Sequence, residues 1–156
     1  MKAKLREMHP DDYQAVLALW EKTPGVGTGP GDSKKEISAY LKRNPGLCAV
    51  AEFNGKIVGA ILCGHDGRRG SINHLAVDVS CRRLGIGKAL VKWSLDGLEK
   101  AGVKKCNIVV FQDNRPGLAF WENIGWKNRR DLAFLQKNIG NNTGHKNIPK
   151  PKKECC

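Results

Sequence analysis

The segment that decides the fold of this chain is Leu75-Ala-Val-Asp-Val-Ser-Cys-Arg82-Arg-Leu-Gly85-Ile-Gly87-Lys-Ala-Leu90. An apolar strand pattern runs into Arg-x-x-Gly-x-Gly, and a helical pattern begins immediately afterwards. Glycine has no Cβ and tolerates positive φ, so Gly85 and Gly87 can direct backbone N–H groups toward the start of that helix. A helix N-terminus combines unpaired N–H donors with a partial positive charge, which suits a pyrophosphate. Taken alone, the motif is also compatible with a plain turn.

A second block follows later in the chain, Asn114-Arg-Pro-Gly-Leu-Ala-Phe-Trp121-Glu-Asn-Ile-Gly125-Trp126. The two blocks, in this order and separation, resemble the GNAT superfamily of acetyl-CoA-dependent N-acyltransferases. The resemblance spans roughly Lys4 to Ile139, and the chain looks most like small stand-alone acetyltransferases of unassigned substrate. It implies acetyl-CoA as cosubstrate and transfer to a primary amine of a small molecule or protein by direct attack, without an acyl-enzyme.

Hydrophobic periodicity and turn signals predict a single domain over residues 1–139 and a basic tail over 140–156 that cannot form a core. The element order is β-α-α-β-β-β-α-β-α-β-β, which is the GNAT order. The resemblance therefore implies a mixed α/β fold with a central, splayed, mostly antiparallel sheet flanked by helices. The predicted strands are 2–8, 47–53, 56–63, 71–79 and 105–111 plus a final hairpin over 126–139, and the predicted helices are 10–21, 33–43, 88–101 and 116–124.

The resemblance also implies where the cofactor binds. The strand before the glycine turn and the strand after the main helix would splay apart, and backbone groups of Leu75, Ala76 and Val77 would bond pantetheine like an added strand. Asn114 would hold the pantetheine arm or order the end of the strand. The alternative is that it caps the following helix, and the two roles can coexist. The residues implied around the pyrophosphate are Arg82, Arg83, Leu84, Gly85, Ile86, Gly87 and Lys88.

Acetyl transfer to an amine requires a base, because an amine of pKa ~10 must lose a proton at a cost of roughly 4 kcal/mol near neutral pH. In several family members a His or Glu on the strand before the turn does this work, so the resemblance points to Asn73 and His74. A hydrogen-bonded structural role is the alternative for His74. The resemblance places the oxyanion donor at a backbone N–H near Val77. Weaker candidates for the base are Glu52, His65, Asp66 and Glu122.

At one position the chain departs from the family. The usual proton donor to the leaving thiolate is a Tyr seven residues after the Asn, and here that residue is Trp121. An indole N–H donates a hydrogen bond but is not an acid, so water or another acid would have to serve. Core packing is an equal alternative for Trp121.

An acyl-CoA-binding or regulatory module with weak or no turnover is the alternative function. Ribosomal-protein alanine N-acetyltransferases, one branch of the family, carry a Glu five residues before the Asn, and this chain has Val109 there. This difference, together with Trp121, argues against membership of that branch.

The amino-acid composition limits the classes of partner that we expect for this chain. The net charge is +12, yet the sequence lacks the basic face with interleaved aromatics that nucleic-acid binding would need, so we expect no nucleic-acid partner. Basic residues outnumber acidic ones between Arg82 and Lys105, which fits a polyanionic cofactor. Without a long apolar run, a signal-like start or a zinc spacing among the six cysteines, we expect a cytoplasmic protein with no membrane partner and no metal. The sequence does not identify the amine acceptor or the oligomeric state, and a homodimer is possible.

Overall fold

A computed structural model describes residues 2–140 of the chain. Five strands form one sheet in the order β1-β2-β3-β4-β5, in which all neighbours are antiparallel except β4 and β5. The predicted mixed α/β fold with a mostly antiparallel sheet is thereby confirmed. The strands are β1 (Lys4–Glu7), β2 (Ala49–Phe53), β3 (Lys56–His65), β4 (Gly70–Val77) and β5 (Cys106–Ile108), and the helices are α1 (Tyr13–Lys22), α2 (Lys34–Arg43), α3 (Ile86–Lys100) and α4 (Arg115–Asn123).

Helices cover both faces of the sheet, which explains why β3 is almost continuously apolar. On one face, Trp20 of α1 and Ile37 of α2 belong to the same buried cluster as Leu62 of β3. On the opposite face, Leu90 of α3 and Trp121 of α4 are buried in a cluster that includes several β2 and β3 residues. Each large apolar side chain buried in this way contributes about 1.5–3 kcal/mol. No helix in the described part of the chain is long and apolar enough to cross a membrane.

The middle of β4 contains an extra residue. Asn73 pairs with Leu62 and Ala76 pairs with Ala60, so three steps along β4 match two along β3. His74 lies in this bulge with a φ of 51°. Beyond the bulge β4 also loses its other neighbour, because β5 pairs only with Gly70–Ile72. A strand edge therefore opens in the centre of the molecule, as bulges commonly produce beside active sites.

The predicted final hairpin over 126–139 is wrong, since the described residues of this segment contain no strand. The segment makes a turn in which Leu132 N–H donates to the Arg129 carbonyl at 3.2 Å. Leu132 and Phe134 are exposed, and Leu135 is 89 % exposed. Alternating apolar residues do not fix a strand when no neighbouring edge or apolar face receives them.

The predicted strand over 105–111 shortens to Cys106–Ile108 for a related reason. The bulge turns β4 away after Ile72, so Val109 and Phe111 have no partner strand and are exposed. The predicted basic tail over 140–156 lies outside the described residues apart from Gly140.

Arg6 of β1 links the residues just before α1 to the neighbouring strand β2. Its guanidinium donates to both carboxylate oxygens of Asp12, each at 2.8 Å, and to Glu52 Oε1 of β2 at 2.6 Å. The hydrogen bonds from Arg6, followed by one from the His9 backbone, hold the pKa of Asp12 below its usual range. Such bidentate pairs between charged groups are the strong class of hydrogen bond.

We predict that Arg6→Met lowers the free energy of unfolding by about 1–3 kcal/mol at neutral pH, because two carboxylates lose their partner. A depressed carboxyl pKa stabilises the folded state above the ordinary value and loses that effect as the pH falls through the lowered one. The difference between wild type and variant should therefore shrink below about pH 4. Urea unfolding across pH measures it, with Lys92→Met, which breaks an exposed pair to Asp96, as the control expected to cost under about 0.5 kcal/mol. An undiminished difference in acid would exclude Asp12 as its source.

Candidate active site

The N-terminus of α3 combines an uncapped helix end with exposed cationic side chains. Gly85 occupies the N-cap position with a φ of 77°, and no side chain caps the helix. The first backbone N–H groups of an α-helix have no partner within it, so an uncapped end presents them to a ligand. Arg82, Arg83 and Lys88 are exposed around this end, and within residues 2–140 none of them forms an ion pair. Backbone and side chains together can hold a pyrophosphate.

The neighbouring predicted residues contribute differently. A Cβ on Gly87 would lie 3.2 Å from the Phe120 ring, so this glycine lets α3 approach α4 closely. The Ile86 side chain is buried in the core and leaves only its backbone for a ligand, whereas the Leu84 side chain is half exposed. Two residues of the turn have positive φ, Gly85 at 77° and Arg83 at 61°, and glycine adopts this conformation without steric cost.

Of the three β4 residues predicted to contact pantetheine, only some direct their backbone groups toward the open edge of the strand. Asp78 N–H donates to the Val58 carbonyl at 2.8 Å, and two residues earlier Ala76 pairs with Ala60. Backbone groups alternate sides along an antiparallel strand, so those of Ala76 point toward β3 and those of Leu75 and Val77 point toward the open edge. Leu75 and Val77 therefore lie along the open edge, where the Val77 carbonyl accepts a hydrogen bond from Arg82 Nε at 3.4 Å, and Ala76 does not face that edge.

Asn114 caps α4, as one of its two predicted roles required. Its Oδ1 accepts a hydrogen bond from Gly117 N–H at 3.0 Å. Its amide also packs against the loop between α1 and α2, where a Cβ on Gly25 would lie 2.5 Å from Asn114 Nδ2. Because Gly25 also has a φ of 83°, both space and backbone conformation favour glycine there. The loop over residues 23–32 thus extends from α1 to the start of α4.

The same loop places a carboxylate beside His74. His74 Nε2 lies 2.9 Å from Asp32 Oδ1, and the ring packs against Trp20 with centroids 4.8 Å apart. Asp32 is itself held, since its Oδ2 accepts from Gly29 N–H at 2.8 Å and its carbonyl accepts from the Tyr13 hydroxyl at 2.7 Å. The pair is partly buried, with side-chain exposures of 20 % for His74 and 15 % for Asp32. His74 thus combines a backbone conformation that non-glycine residues rarely adopt with a carboxylate partner, which makes it a candidate for function.

Asn73 lies beside this pair, because the bulge brings two successive side chains to the face covered by α1 and α2. It lines a cleft with Tyr40 and Asn44. Of the weaker candidates, His65 and Asp66 line the same cleft, Glu52 is engaged by Arg6, and Glu122 is exposed on α4.

Trp121 occupies the core between α4 and the sheet. It is 7 % exposed and makes edge contacts with the rings of Phe120 and Trp126, at centroid distances of 5.2 and 4.8 Å. These contacts match the core-packing interpretation of this residue. Cys81, beside the glycine turn, is buried at the end of a short 3-10 helix and is badly placed for a nucleophile.

Comparisons with known proteins agree with this geometry. The sequence model of the acetyltransferase (GNAT) family matches residues 6–126. The chain belongs to the GNAT acetyltransferase family. It is 33 % identical over 124 residues to an acetyltransferase of Pectobacterium atrosepticum, covering 80 % of this chain and 87 % of the relative. It is 32 % identical over 136 residues to an uncharacterised N-acetyltransferase of Yersinia pestis, covering 87 % and 95 %.

The fold is shared with solved GNAT structures. The PaiA N-acetyltransferase of Thermoplasma acidophilum, solved in complex with coenzyme A, superposes with a TM-score of 0.72 at 17 % identity, covering 81 % of this chain and 91 % of that one. As a GNAT family member the protein is an N-acetyltransferase, as predicted. Within residues 2–140, no group of three or more His, Cys, Asp or Glu side chains could hold a metal ion.

Sequence reasoning missed Asp32 and Tyr40. Asp32 ends a loop rich in glycine and proline and directly precedes the Ser33 cap of α2, so no sequence pattern marks it. Tyr40 lies on α2, where the sequence pattern predicts only that an aromatic residue belongs to the apolar face of the helix. Only the packing of the first two helices on the sheet brings these side chains to β4.

We predict that a negative charge at Gly85 weakens acetyl-CoA binding, because it would face the pyrophosphate beside the α3 N-terminus. Gly85→Glu should bind at least about tenfold more weakly than Gly85→Gln, measured by calorimetry. The two variants share the strain of the positive φ, about 1–2 kcal/mol, and differ only in charge. No Cβ clash is involved, since nothing lies within 4 Å of one at this position. Equal affinities would refute the assignment of this turn.

We predict that Trp121→Tyr lowers the melting temperature without raising turnover, because a smaller ring leaves a gap and buries a hydroxyl. Trp121→Phe is the matched control, since it differs from the Tyr variant only by the hydroxyl. Acetyl-CoA-dependent thiol release is measured for all three proteins on one accepted amine. A Tyr variant much faster than the Phe variant would show that a missing acid limits this enzyme.

Proposed function

We propose that this N-acetyltransferase transfers the acetyl group of acetyl-CoA to a primary amine of a small molecule or protein. The amine attacks the thioester directly in a ternary complex, without an acyl-enzyme. The observation that carries the proposal is the His74–Asp32 pair, which lies in the bulge where the edge of β4 opens. The uncapped N-terminus of α3 follows the same strand, so a basic group and an anion site lie at two points along one edge.

The residues present fit acetyl-CoA. Backbone donors at the start of α3, together with Arg82, Arg83 and Lys88, would hold the pyrophosphate. The open backbone edge at Leu75 and Val77 would pair with the pantetheine amides. When bound, acetyl-CoA supplies the activated thioester. The coenzyme A complex of the PaiA enzyme, which shares this fold, supports the same cosubstrate here.

His74 would serve as the general base. A carboxylate only accepts hydrogen bonds, so the contact with Asp32 places the ring proton on Nε2. Nδ1 then carries the lone pair, and within residues 2–140 it has no hydrogen-bond partner. Asp32 would act as a positioning residue that fixes the tautomer and stabilises the protonated ring, as carboxylates do behind catalytic histidines. Proton removal by such a base contributes typically 10²–10⁴-fold to rate.

The remaining steps need little from side chains. The oxyanion would be stabilised by a backbone N–H on the open edge near Val77, a group already oriented before the reaction. The thiolate would take its proton from water, because the indole of Trp121 lies in the core and is not an acid. A thiolate is a better leaving group than an amine and needs less assistance to depart.

We predict that His74→Gln lowers kcat for acetyl transfer by about 10²-fold or more, and that Asp32→Asn lowers it by roughly tenfold. Both variants should keep wild-type affinity for acetyl-CoA, measured by calorimetry, because neither residue lies at the α3 terminus. Asp11→Asn, an exposed change in the same part of the chain, is the control for Asp32→Asn and should leave kcat unchanged.

Two results would contradict this prediction, and each has a different meaning. Wild-type kcat in His74→Gln, with the folded state confirmed by circular dichroism, would remove His74 as the base. Loss of acetyl-CoA affinity in the same variant would point instead to a structural role for the histidine in shaping β4.

A further inference from the structure

An open cleft lies on the α2 side of the sheet, and one of its lining residues, Asn73, directly precedes the proposed base. Its volume is about 430 Å³, within the range of small-molecule sites. It is bounded by the C-terminal end of α2, the turn between β3 and β4, and the first residues of β4 and β5. The residues that line it and carry the argument below are Tyr40, Arg43, His65, Arg69, Asn73 and Asn107.

The cleft is positively charged. Arg43 and Arg69 both line it, and in the described part of the chain neither guanidinium forms an ion pair. Asp66 is the one acidic residue in the lining, and its Oδ1 accepts hydrogen bonds from the N–H groups of Arg68 and Arg69, at 2.8 and 2.7 Å. These bonds lower the pKa of Asp66, and the arginine charge that also acts on it is that of Arg68. Two cations in the cleft are thus left without a carboxylate.

The other lining groups are mostly hydrogen-bond donors. Burial raises the pKa of Tyr40 well above its usual range, so its hydroxyl is neutral and can donate. His65 Nδ1 accepts from Gly67 N–H at 3.0 Å, which places the ring proton on Nε2. The amide of Asn107 adds a further N–H donor, and the amide of Asn73 interacts with the Tyr40 hydroxyl. Cations surrounded by neutral donors form a recognition site for a carboxylate or a phosphate.

We propose that the amine acceptor of this enzyme carries an anionic group, a carboxylate or a phosphate, which Arg43 and Arg69 bind in this cleft. The proposal rests on the proposed function and names the acceptor class for the same site. Asn73 lines the cleft and immediately precedes His74, so the amine would extend from the cleft toward the base. Gly70, at the charged end, lies four residues before His74, or about 13 Å along a strand. The anion and the amine of the acceptor are therefore separated by several bonds.

The test compares amines that differ only in this charge. Wild-type enzyme is assayed for thiol release from acetyl-CoA with β-alanine, γ-aminobutyrate and ε-aminocaproate and with the carboxamide of each. We expect kcat/KM for at least one carboxylate to exceed that of its carboxamide by about tenfold or more, with the longer chains favoured. Aminoethylphosphonate, compared with β-alanine, distinguishes a phosphate-like anion from a carboxylate. Equal rates across every charged and neutral pair would overturn the proposal.

Substitutions locate the effect. Arg69→Gln and Arg43→Gln should each lower the ratio of kcat/KM for the carboxylate to kcat/KM for its carboxamide by about tenfold, mainly through the KM of the carboxylate. Arg68→Gln is the matched control, because Arg68 lies in the same turn, loses the same charge and does not line the cleft. An equal loss in the Arg68 variant would indicate general electrostatic attraction and would overturn the assignment to this cleft.

Failure of the proposed reaction is distinguishable from failure of this inference. If no amine consumes acetyl-CoA, binding of ε-aminocaproate and its carboxamide in the presence of coenzyme A is measured by calorimetry. Tighter binding of the carboxylate that is lost in Arg69→Gln and kept in Arg68→Gln would support the cleft as an anion site. Identical binding of the two compounds would refute it.

Discussion

The extra residue in β4 is the constraint on which the rest of this structure depends. A regular strand sends successive side chains to opposite faces, but the bulge between the Asn73–Leu62 and Ala76–Ala60 pairs lets Asn73 and His74 share one face. The same irregularity accompanies the end of the pairing between β4 and β5 after Ile72. One local departure from ideal geometry thus produces both the open backbone edge and the polar side chains beside it.

The loop between α1 and α2 joins the two sides of the opening. Gly25 packs against the Asn114 side chain at the start of α4, and Asp32, at the other end of the loop, contacts His74 of β4. Glycine at position 25 permits the close contact, and the hydrogen bonds of Asp32 to Gly29 and Tyr13 hold the carboxylate in place. Because a loop fixed at both ends loses less freedom when a ligand binds, this arrangement favours a site that is already formed.

Charge is distributed along this site in a way that suits two different ligands. Arg82, Arg83 and Lys88 surround the uncapped end of α3, whereas Arg43 and Arg69 line a separate cleft beyond the bulge. Between the two lies His74, whose Nε2 is held by Asp32 and whose Nδ1 is directed away from that carboxylate. A cosubstrate rich in phosphate and an anionic acceptor would therefore approach the proposed base from opposite directions. The high net charge of the chain is explained in part by these two clusters.

The sequence by itself determined the family, the mixed α/β class and most elements, because the signals for them are local. These signals are the turn at Gly85 and Gly87, the Asn54-Gly55 turn between β2 and β3, and the capping box of Ser33 and Glu36 at the start of α2. It also placed His74 and the α3 terminus among the candidates. Only the tertiary structure decided that Asp32 and Tyr40 reach β4, that Ala76 faces β3, and that Trp121 packs in the core. It also showed that residues 126–139 form no strand in the described chain. These outcomes depend on which edges and faces meet after folding, and contacts between residues distant in sequence leave no periodic pattern in the chain itself.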